Sequence, residues 1–363
     1  LLPLTLAVNY AISEERVWSY HVFNFGVHLT AGLLLFGIVR RTLLLPQYKS
    51  RFHDAATWLA FAVALLWLVH PLQTQSVTYI IQRYESLAGM FYLACVVLFL
   101  RGIERRHWGW YLSSVVCCWL GMLSKEILLT APWLILAFDR VIARESWREL
   151  VARRGWYYVL LLASYSTLLL RSYDATAIAN GNALVVQGLS TWDYARTQPE
   201  IILHYVKLSV WPSELCLDYA WPVATEWWQI IPAGVVVFGF LGWTAVLWWR
   251  RSFWSLLGIW FYFILATTSS VLVIKDLAVE HRMYLSLATI TTLAALGGNA
   301  LLTKLSQCWD WDALRTWRVK FSGVALVTVG LSALTILRNF DYYSYEGIWR
   351  DVIAKAPRNG RAY

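Results

Sequence analysis

The polar stretch HPLQTQSVTYIIQRYES, residues His70–Ser86, lies between two apolar segments of the chain and decides how the fold is interpreted. Ionisable side chains at membrane depth are costly in free energy, and they usually mark a substrate or ion path. Two further polar stretches follow, Ser124–Glu126 and Lys275–Arg282, the second with the sequence KDLAVEHR. Each adjoins an apolar segment, and this recurrence favours a membrane-embedded enzyme over a passive scaffold.

Composition places the chain among the polytopic helical membrane proteins. Of its 363 residues, 59% are hydrophobic and 15% are charged, whereas a soluble domain averages about 45–50% apolar and about 25% charged residues. The 23 Trp and 20 Tyr suit either the membrane interface or a cleft that binds sugar or lipid. The net charge of +9 is a topology signal rather than a sign of nucleic-acid binding, because the basic residues lie in short loops.

Apolar length predicts an all-α bundle of about ten membrane spans, since a helix needs about 20 residues to cross a bilayer. Lys and Arg are concentrated in every second loop, and the positive-inside rule places those loops in the cytoplasm. The three polar stretches then share the extracytoplasmic side. The predicted spans are Trp18–Val39, Ala55–Val69, Leu87–Leu100, Trp108–Leu123, Ile127–Val141, Trp156–Leu170, Ile230–Trp249, Phe253–Ile274, Met283–Leu302 and Phe321–Leu337.

The longest stretch without a predicted span is the extracytoplasmic loop region, residues 171–229. Within it, Gln198–Trp211 has apolar residues at helical spacing beside Glu200 and His204, which predicts an amphipathic helix in the outer interface; a short re-entrant segment is the alternative. The aromatic-rich segment Trp211–Val223 has too many large apolar side chains for disorder. We expect it to pack over the bundle.

Five segments of the chain, in order, resemble the transmembrane-and-tetratricopeptide-repeat O-mannosyltransferases and their bacterial homologues. These segments are Ser19–Phe36, His70–Gly102, Gly121–Arg140, Thr197–Val223 and Lys275–Ala288. The resemblance implies a fold of the GT-C glycosyltransferase class and an extracytoplasmic active site. It also implies a polyprenyl-phosphate-linked sugar as the donor substrate and tetratricopeptide repeats on the same side of the membrane.

The same resemblance sets the expected domains. Residues 1–340 correspond to a GT-C-like transmembrane domain, and residues 341–363 correspond to a linker toward a C-terminal repeat domain. The family carries its principal acidic catalytic residue in the first extracytoplasmic loop, so we expect that residue upstream of Leu1. A divalent metal would need ligands from that upstream loop, and no Walker A motif or GxGxxG loop supports the use of a nucleotide.

The implied chemistry is attack by an acceptor hydroxyl on the anomeric carbon of a lipid-phosphate sugar. It requires positive charge beside the leaving phosphate, where negative charge develops. An arginine fork suits phosphate because it can bind two oxygens, and a lysine supplies a point charge. The candidates for binding the donor phosphate are Arg83, Lys125 and Arg282.

The reaction also requires a carboxylate that takes the hydroxyl proton. Glu85 is the catalytic candidate within this chain, and its alternative role is to pair with Arg83. His70 is a second catalytic candidate, and the alternative is that it caps the C-terminus of the helix that ends just before Pro71. The candidates for contact with the sugar or the acceptor are His281, Glu280, Glu126 and His204.

His21, Asn24 and His28 recur at helical spacing and share one face of a predicted span. Such a face is more typical of polar contacts between helices than of ligand binding.

The sequence thus predicts a membrane hexosyltransferase, with mannose as the sugar implied by the resemblance and a protein hydroxyl as the acceptor. The expected partners are the bilayer, a lipid-linked sugar and a protein acceptor, without nucleic acid. The membrane is either a bacterial inner membrane or that of the endoplasmic reticulum. The alternatives are an enzyme of the same class with a glycan or lipid acceptor, and a non-enzymatic scaffold that carries protein-binding repeats.

Overall fold

The computed structural model describes residues 1–167, 189–270 and 276–363, and these ranges contain α-helices, 3₁₀ turns and no β-strand. The predicted all-α class is therefore confirmed. Lys275, the ends of two predicted spans (residues 168–170 and 271–274) and part of the predicted loop region (residues 171–188) lie outside the described residues. The helices are α1 Leu2–Ser13, α2 Trp18–Leu43, α3 Pro46–Phe52, α4 Ala56–Leu68, α5 Thr74–Thr78, α6 Arg83–Arg105, α7 Trp108–Met122, α8 Ala131–Ile142, α9 Trp147–Ala163, α10 Thr191–Val210, α11 Trp227–Trp249, α12 Trp254–Ala266, α13 Met283–Cys308, α14 Ala313–Asp341 and α15 Tyr345–Lys355.

Five helical segments among the described residues are long and apolar enough to cross a membrane, so the chain is an integral membrane protein. A sixth span results if the bent pair Ala56–Leu68 and Pro71–Thr78 is counted as one. The prediction of about ten spans is not confirmed, because several predicted spans form shorter helices. For example, α7 has 15 residues and α8 has 12, since the chain bends at the polar stretch Ser124–Glu126 between them. The five segments are Trp18–Leu43, Ile80–Arg105, Trp227–Trp249, Glu280–Cys308 and Ala313–Asp341.

The first polar stretch interrupts the apolar helix α4 at a proline. Pro71 lacks a backbone N–H and disfavours helical geometry in the residue before it, and His70 is accordingly extended. The chain resumes as a 3₁₀ turn and the short helix α5, at an angle of 56° to α4. The polar side chains of this stretch are thereby directed into the bundle instead of continuing along a span.

The helices α2, α4 and α13 meet at a buried node of three side chains. His28 accepts a hydrogen bond from the hydroxyl of Tyr284 at Nδ1 (3.0 Å) and donates from Nε2 to the carbonyl of Leu68 (3.0 Å). The Trp67 indole donates to the carbonyl of Tyr284 (2.8 Å). The predicted role of this face of α2 in polar contacts between helices is confirmed for His28, and Asn24 also bonds across, to the carbonyl of Val77 (2.9 Å).

The outward faces of α11 and α14 are apolar and exposed. Phe238 and Trp243 project from α11, and Val329 and Ile336 project from α14. Large exposed apolar surfaces mark contact with a non-aqueous partner, and these two helices are long enough to span a bilayer. Their exposed faces therefore correspond to lipid-facing surfaces, while the polar stretches lie inside.

Gly89 allows α6 to approach α13 closely. A Cβ atom at this position would lie 2.6 Å from a ring carbon of Tyr284, and the Tyr284 ring is locked by the node described above. Gly89→Ala should therefore lower the stability of the protein by about 1–3 kcal/mol through overpacking. The midpoint of unfolding in detergent measures this loss.

The matched control is Gly239→Ala in α11, where nothing lies within 4 Å of the added Cβ. This substitution should leave the midpoint unchanged or raise it, because Ala favours a helix over Gly by about 1 kcal/mol. Equal midpoints for the two variants would contradict the close approach of α6 and α13.

Candidate active site

The first and second polar stretches meet at a buried ion pair. The Lys125 ammonium donates a hydrogen bond to the carboxylate of Glu85, and both side chains are largely shielded from solvent. Lys125 also lies 4.9 Å from the centre of the Tyr84 ring, close enough for a cation–π contact. The pair thus ties the N-terminal turn of α6 to the bend between α7 and α8.

The third polar stretch joins the same cluster through His281. Its backbone N–H donates to the side-chain carbonyl oxygen of Gln75 (2.8 Å), and its ring Nδ1 lies 3.1 Å from the same oxygen. The ring is edge-on to Tyr84, with 6.3 Å between the ring centres. Side chains about 200 residues apart in sequence are therefore brought into one polar cluster.

Arg282 is fixed next to His281 by backbone carbonyls. Its guanidinium donates to the carbonyl oxygens of Leu277 (2.7 Å) and Asp276 (2.5 Å). The side chain is buried, and it adjoins the cluster through its sequence neighbour His281. Together, Glu85, Lys125, His281 and Arg282 form a buried polar cluster around one ion pair, which we call the polar core.

Arg83 lies apart from the polar core, although it is only two residues from Glu85. It donates to the side-chain oxygens of Asn24 (2.5 Å) and Asn9 (2.6 Å) and to the carbonyl of Tyr20 (3.1 Å). Residues two apart on a helix point in different directions, so Glu85 pairs with Lys125 and not with Arg83. Three of the five guanidinium N–H donors are thereby engaged by α1 and α2.

Glu280 is fully buried beside the segment Trp211–Val223, called here the outer loop. One carboxylate oxygen accepts hydrogen bonds from the backbone N–H of Cys216 (2.5 Å) and from the hydroxyl of Tyr219 (2.9 Å). The same oxygen lies 4.0 Å from a guanidinium nitrogen of Arg338. The expected packing of the outer loop against the bundle is therefore confirmed.

Sequence reasoning did not select Arg338 as a site residue. The signal was present, because a basic residue at the predicted extracytoplasmic end of an apolar segment runs against the positive-inside rule. Arg338 is buried and donates to Asp341 (2.9 Å) and Asp351 (2.7 Å).

The predicted amphipathic helix exists as part of α10, with Ile201 and Tyr205 buried and Lys207 exposed. His204 on this helix packs against the rings of Tyr219 and Trp221, with centre distances of 5.2 and 4.7 Å. Burial lowers the pKa of His204 from its ordinary value, and the positive charge of Lys207 lowers it further. The neutral ring is therefore favoured at the edge of the outer loop.

His70 begins the first polar stretch, and Glu126 ends the second. His70 accepts from the backbone N–H of Leu72 at Nδ1 (3.2 Å) and donates from Nε2 to the carbonyl of Ser209 (3.2 Å). It therefore caps the N-terminus of the 3₁₀ turn that follows it, whereas the sequence suggested the C-terminus of the preceding helix. The side chain of Glu126 is exposed. Within residues 1–167, 189–270 and 276–363, no three His, Cys, Asp or Glu residues are grouped to hold a metal ion.

An apolar helical bundle that buries a charged cluster at the ends of its spans defines a polytopic membrane protein with an internal polar site. The comparisons with known proteins confirm the resemblance to the transmembrane-and-tetratricopeptide-repeat O-mannosyltransferases. The chain is 27% identical over 183 residues to Protein O-mannosyl-transferase TMTC2 of Mus musculus. The aligned region covers 47% of the chain and 21% of that protein.

Two further relatives agree with this result. The chain is 30% identical over 151 residues to Protein O-mannosyl-transferase TMTC2 of Homo sapiens, and the aligned region covers 39% of the chain and 17% of that protein. It is 23% identical over 245 residues to Protein O-mannosyl-transferase Tmtc2 of Drosophila melanogaster, and the aligned region covers 63% of the chain and 25% of that protein. The matches thus span about a quarter or less of these relatives. No family model and no solved structure matches the chain.

Removing one partner of the Glu85–Lys125 pair should lower the unfolding free energy of the protein. Lys125→Met leaves the Glu85 carboxylate buried without its counter-charge, and we expect a loss of about 3–5 kcal/mol in unfolding free energy. The double variant Glu85→Gln/Lys125→Met should regain most of that loss. Denaturant unfolding of the detergent-solubilised protein measures both.

The pair Arg41–Glu104 is the matched control, because both of its side chains are partly exposed. Arg41→Met should cost at most about 1 kcal/mol. If Lys125→Met were as mild as this control, the buried ion pair would not exist in the protein.

Proposed function

We propose that this chain forms the membrane domain of a glycosyltransferase that transfers a hexose from a polyprenyl-phosphate donor to a protein hydroxyl. The curated relatives are named protein O-mannosyl-transferases, which supports mannose as the sugar and a protein as the acceptor. The observation that carries the proposal is the polar core, in which the buried Glu85–Lys125 pair and His281, the neighbour of Arg282, meet at the ring of Tyr84. Buried cations at the end of a membrane bundle suit an anionic headgroup whose lipid tail stays in the bilayer.

In this proposal, Arg282 and Lys125 bind the donor phosphate. Their charges would stabilise the negative charge that develops on the phosphate as the glycosidic bond breaks. Two backbone carbonyls hold the Arg282 guanidinium, so its orientation is fixed before the donor binds. Arg83 lies apart from the polar core, so in this proposal it holds the first two helices beside the site instead of contacting the phosphate.

Glu85 would take the proton of the acceptor hydroxyl or assist the principal acidic residue that the resemblance implies upstream of Leu1. We assign His281, Glu280, Glu126 and His204 to contacts with the sugar or the acceptor, and His70 to holding the polar stretch in place.

The proposal includes an orientation of the domain. We place the polar core on the extracytoplasmic side of a bacterial inner membrane or an endoplasmic-reticulum membrane. The short helices α7, α8, α9 and α12 would complete about ten spans together with the turns that adjoin them. Residues 341–363 would lead toward the repeat domain.

The test is transfer of labelled mannose from polyprenyl-phosphate mannose by the protein encoded by the complete reading frame. Arg282→Ala and Lys125→Ala should each reduce the rate by about 100-fold or more, since removing one stabilising donor usually costs that much. Arg282→Lys should recover little, because a lysine lacks the bidentate fork.

Arg350→Ala is the matched control, because Arg350 is exposed and pairs only with Glu346 of the same helix among the contacts described. It should leave the rate unchanged. Unchanged rates in both site variants would contradict the site assignment. Transfer to a glycan or lipid and not to protein would replace the proposed acceptor, while no transfer by the folded wild-type protein would favour a scaffold.

A further inference from the structure

The C-terminal segment, residues 345–363, folds back onto the candidate site. Helix α15 buries Ile348 and Val352, and the residues after it follow the outer loop. The sequence predicted only a linker here, and it did not predict contacts between this segment and the outer loop.

Two side chains of the C-terminal segment hold the backbone of the outer loop. The Lys355 ammonium donates to the carbonyl of Leu215 (2.7 Å), and the Asn359 side-chain amide donates to the carbonyl of Asp218 (3.2 Å). Asn359 is buried, so its amide contributes to packing as well as to hydrogen bonding. The outer loop in turn donates the Cys216 N–H to Glu280.

Arg361 connects the outer loop to the third polar stretch. One of its guanidinium nitrogens donates to the carboxylates of Asp218 (3.1 Å) and Asp276 (2.6 Å). The backbone carbonyl of Asp276 is one of the two acceptors that orient the Arg282 guanidinium. Arg361 is therefore two contacts away from the residue to which we assign the donor phosphate.

A second connection leads from α15 to Glu280. Asp351 accepts a hydrogen bond from Arg338 (2.7 Å), and another nitrogen of the same guanidinium lies 4.0 Å from the Glu280 carboxylate. The second carboxylate oxygen of Glu280 has no hydrogen-bond partner among the described residues. Buried charges depend strongly on their counter-charges, so displacement of α15 would change the environment of Glu280.

We propose that the C-terminal segment is a positioning element of the candidate site, in which Arg361 sets the position of Arg282 through Asp276 and Asp351 holds Arg338 beside Glu280. The proposal rests on the proposed function, because it assigns the effect to binding of the lipid-phosphate donor. Arg361 is a positioning residue and touches no substrate. Displacing the segment weakens donor binding while the helical bundle stays folded.

The first experiment measures packing without relying on catalysis. Cys216 belongs to the outer loop and is buried, and burial raises its thiol pKa to about 11, so it should react slowly with a membrane-impermeant maleimide. Arg361→Ala in the protein from the complete reading frame should accelerate labelling of Cys216 by about 5-fold or more, the lower end of the usual coupling between sites. Mass spectrometry of the Cys216 peptide gives the rate.

Arg350→Ala again serves as the matched control, because Arg350 lies in the same segment and its ion pair with Glu346 stays within α15. It should label Cys216 at the wild-type rate. Equal labelling rates for Arg361→Ala and Arg350→Ala would overturn the proposal, since the segment would then not hold the outer loop.

The second experiment separates positioning from general structure. Arg361→Asp places a third carboxylate beside Asp218 and Asp276, and should raise the KM for polyprenyl-phosphate mannose by about 5-fold or more. The KM for the acceptor and kcat should change little. The charge exchange Arg361→Asp/Asp276→Arg should restore the donor KM in part, because it recreates an opposite-charge pair at the same place.

The two proposals fail in different ways. Wild-type protein that transfers no sugar would refute the proposed function, while the Cys216 labelling would still report whether the segment holds the outer loop. Transfer with an unchanged donor KM in Arg361→Asp would refute the positioning role even if labelling is accelerated. A loss of kcat alone would also refute it.

Discussion

The buried pair of Glu85 and Lys125 is the interaction on which the arrangement of the site depends. Two charges inside an apolar bundle are tolerated only when they compensate each other, and these two come from polar stretches on either side of α6 and α7. The pairing fixes the bend at Ser124–Glu126 against the start of α6. Both α8 and the 3₁₀ turn before it take their direction from this bend.

The same requirement explains why the helices are interrupted where they are. A membrane bundle must satisfy every backbone polar group, and irregular backbone is tolerated only where protein or water surrounds it. The first and third polar stretches contain 3₁₀ turns, and the second ends where a 3₁₀ turn begins. The backbone N–H of His281 bonds to Gln75, and Arg282 bonds to the carbonyls of Asp276 and Leu277. The segments that interrupt the spans are therefore the same segments that form the polar core.

Much of this could be predicted from the sequence, and the reasons for the successes and failures are physical. Apolar length and composition gave the helical class, and the spacing of His21, Asn24 and His28 predicted contacts between α2 and its neighbours. The residues of the polar core were selected because charge at membrane depth is costly. Their partners could not be selected, because the pairing of Glu85 with Lys125 rather than with Arg83 depends on how α6 packs on α7. The number of spans could not be predicted from the length of the apolar segments. Residues 108–141 were predicted as two spans, but they form helices that are shorter than a bilayer requires. Arg338 shows the same limit, because its contact with Glu280 requires α14 to end beside the outer loop.

We propose that the polar core recognises the phosphate of a lipid-linked sugar. The most direct measurement is equilibrium binding of a fluorescent polyprenyl phosphate to the purified wild-type protein in nanodiscs, compared with the matching polyprenol that lacks the phosphate. We expect the phosphate-bearing lipid to bind more tightly and Arg282→Ala to remove most of the difference. Equal affinity for the two lipids in the folded wild-type protein would contradict this proposal.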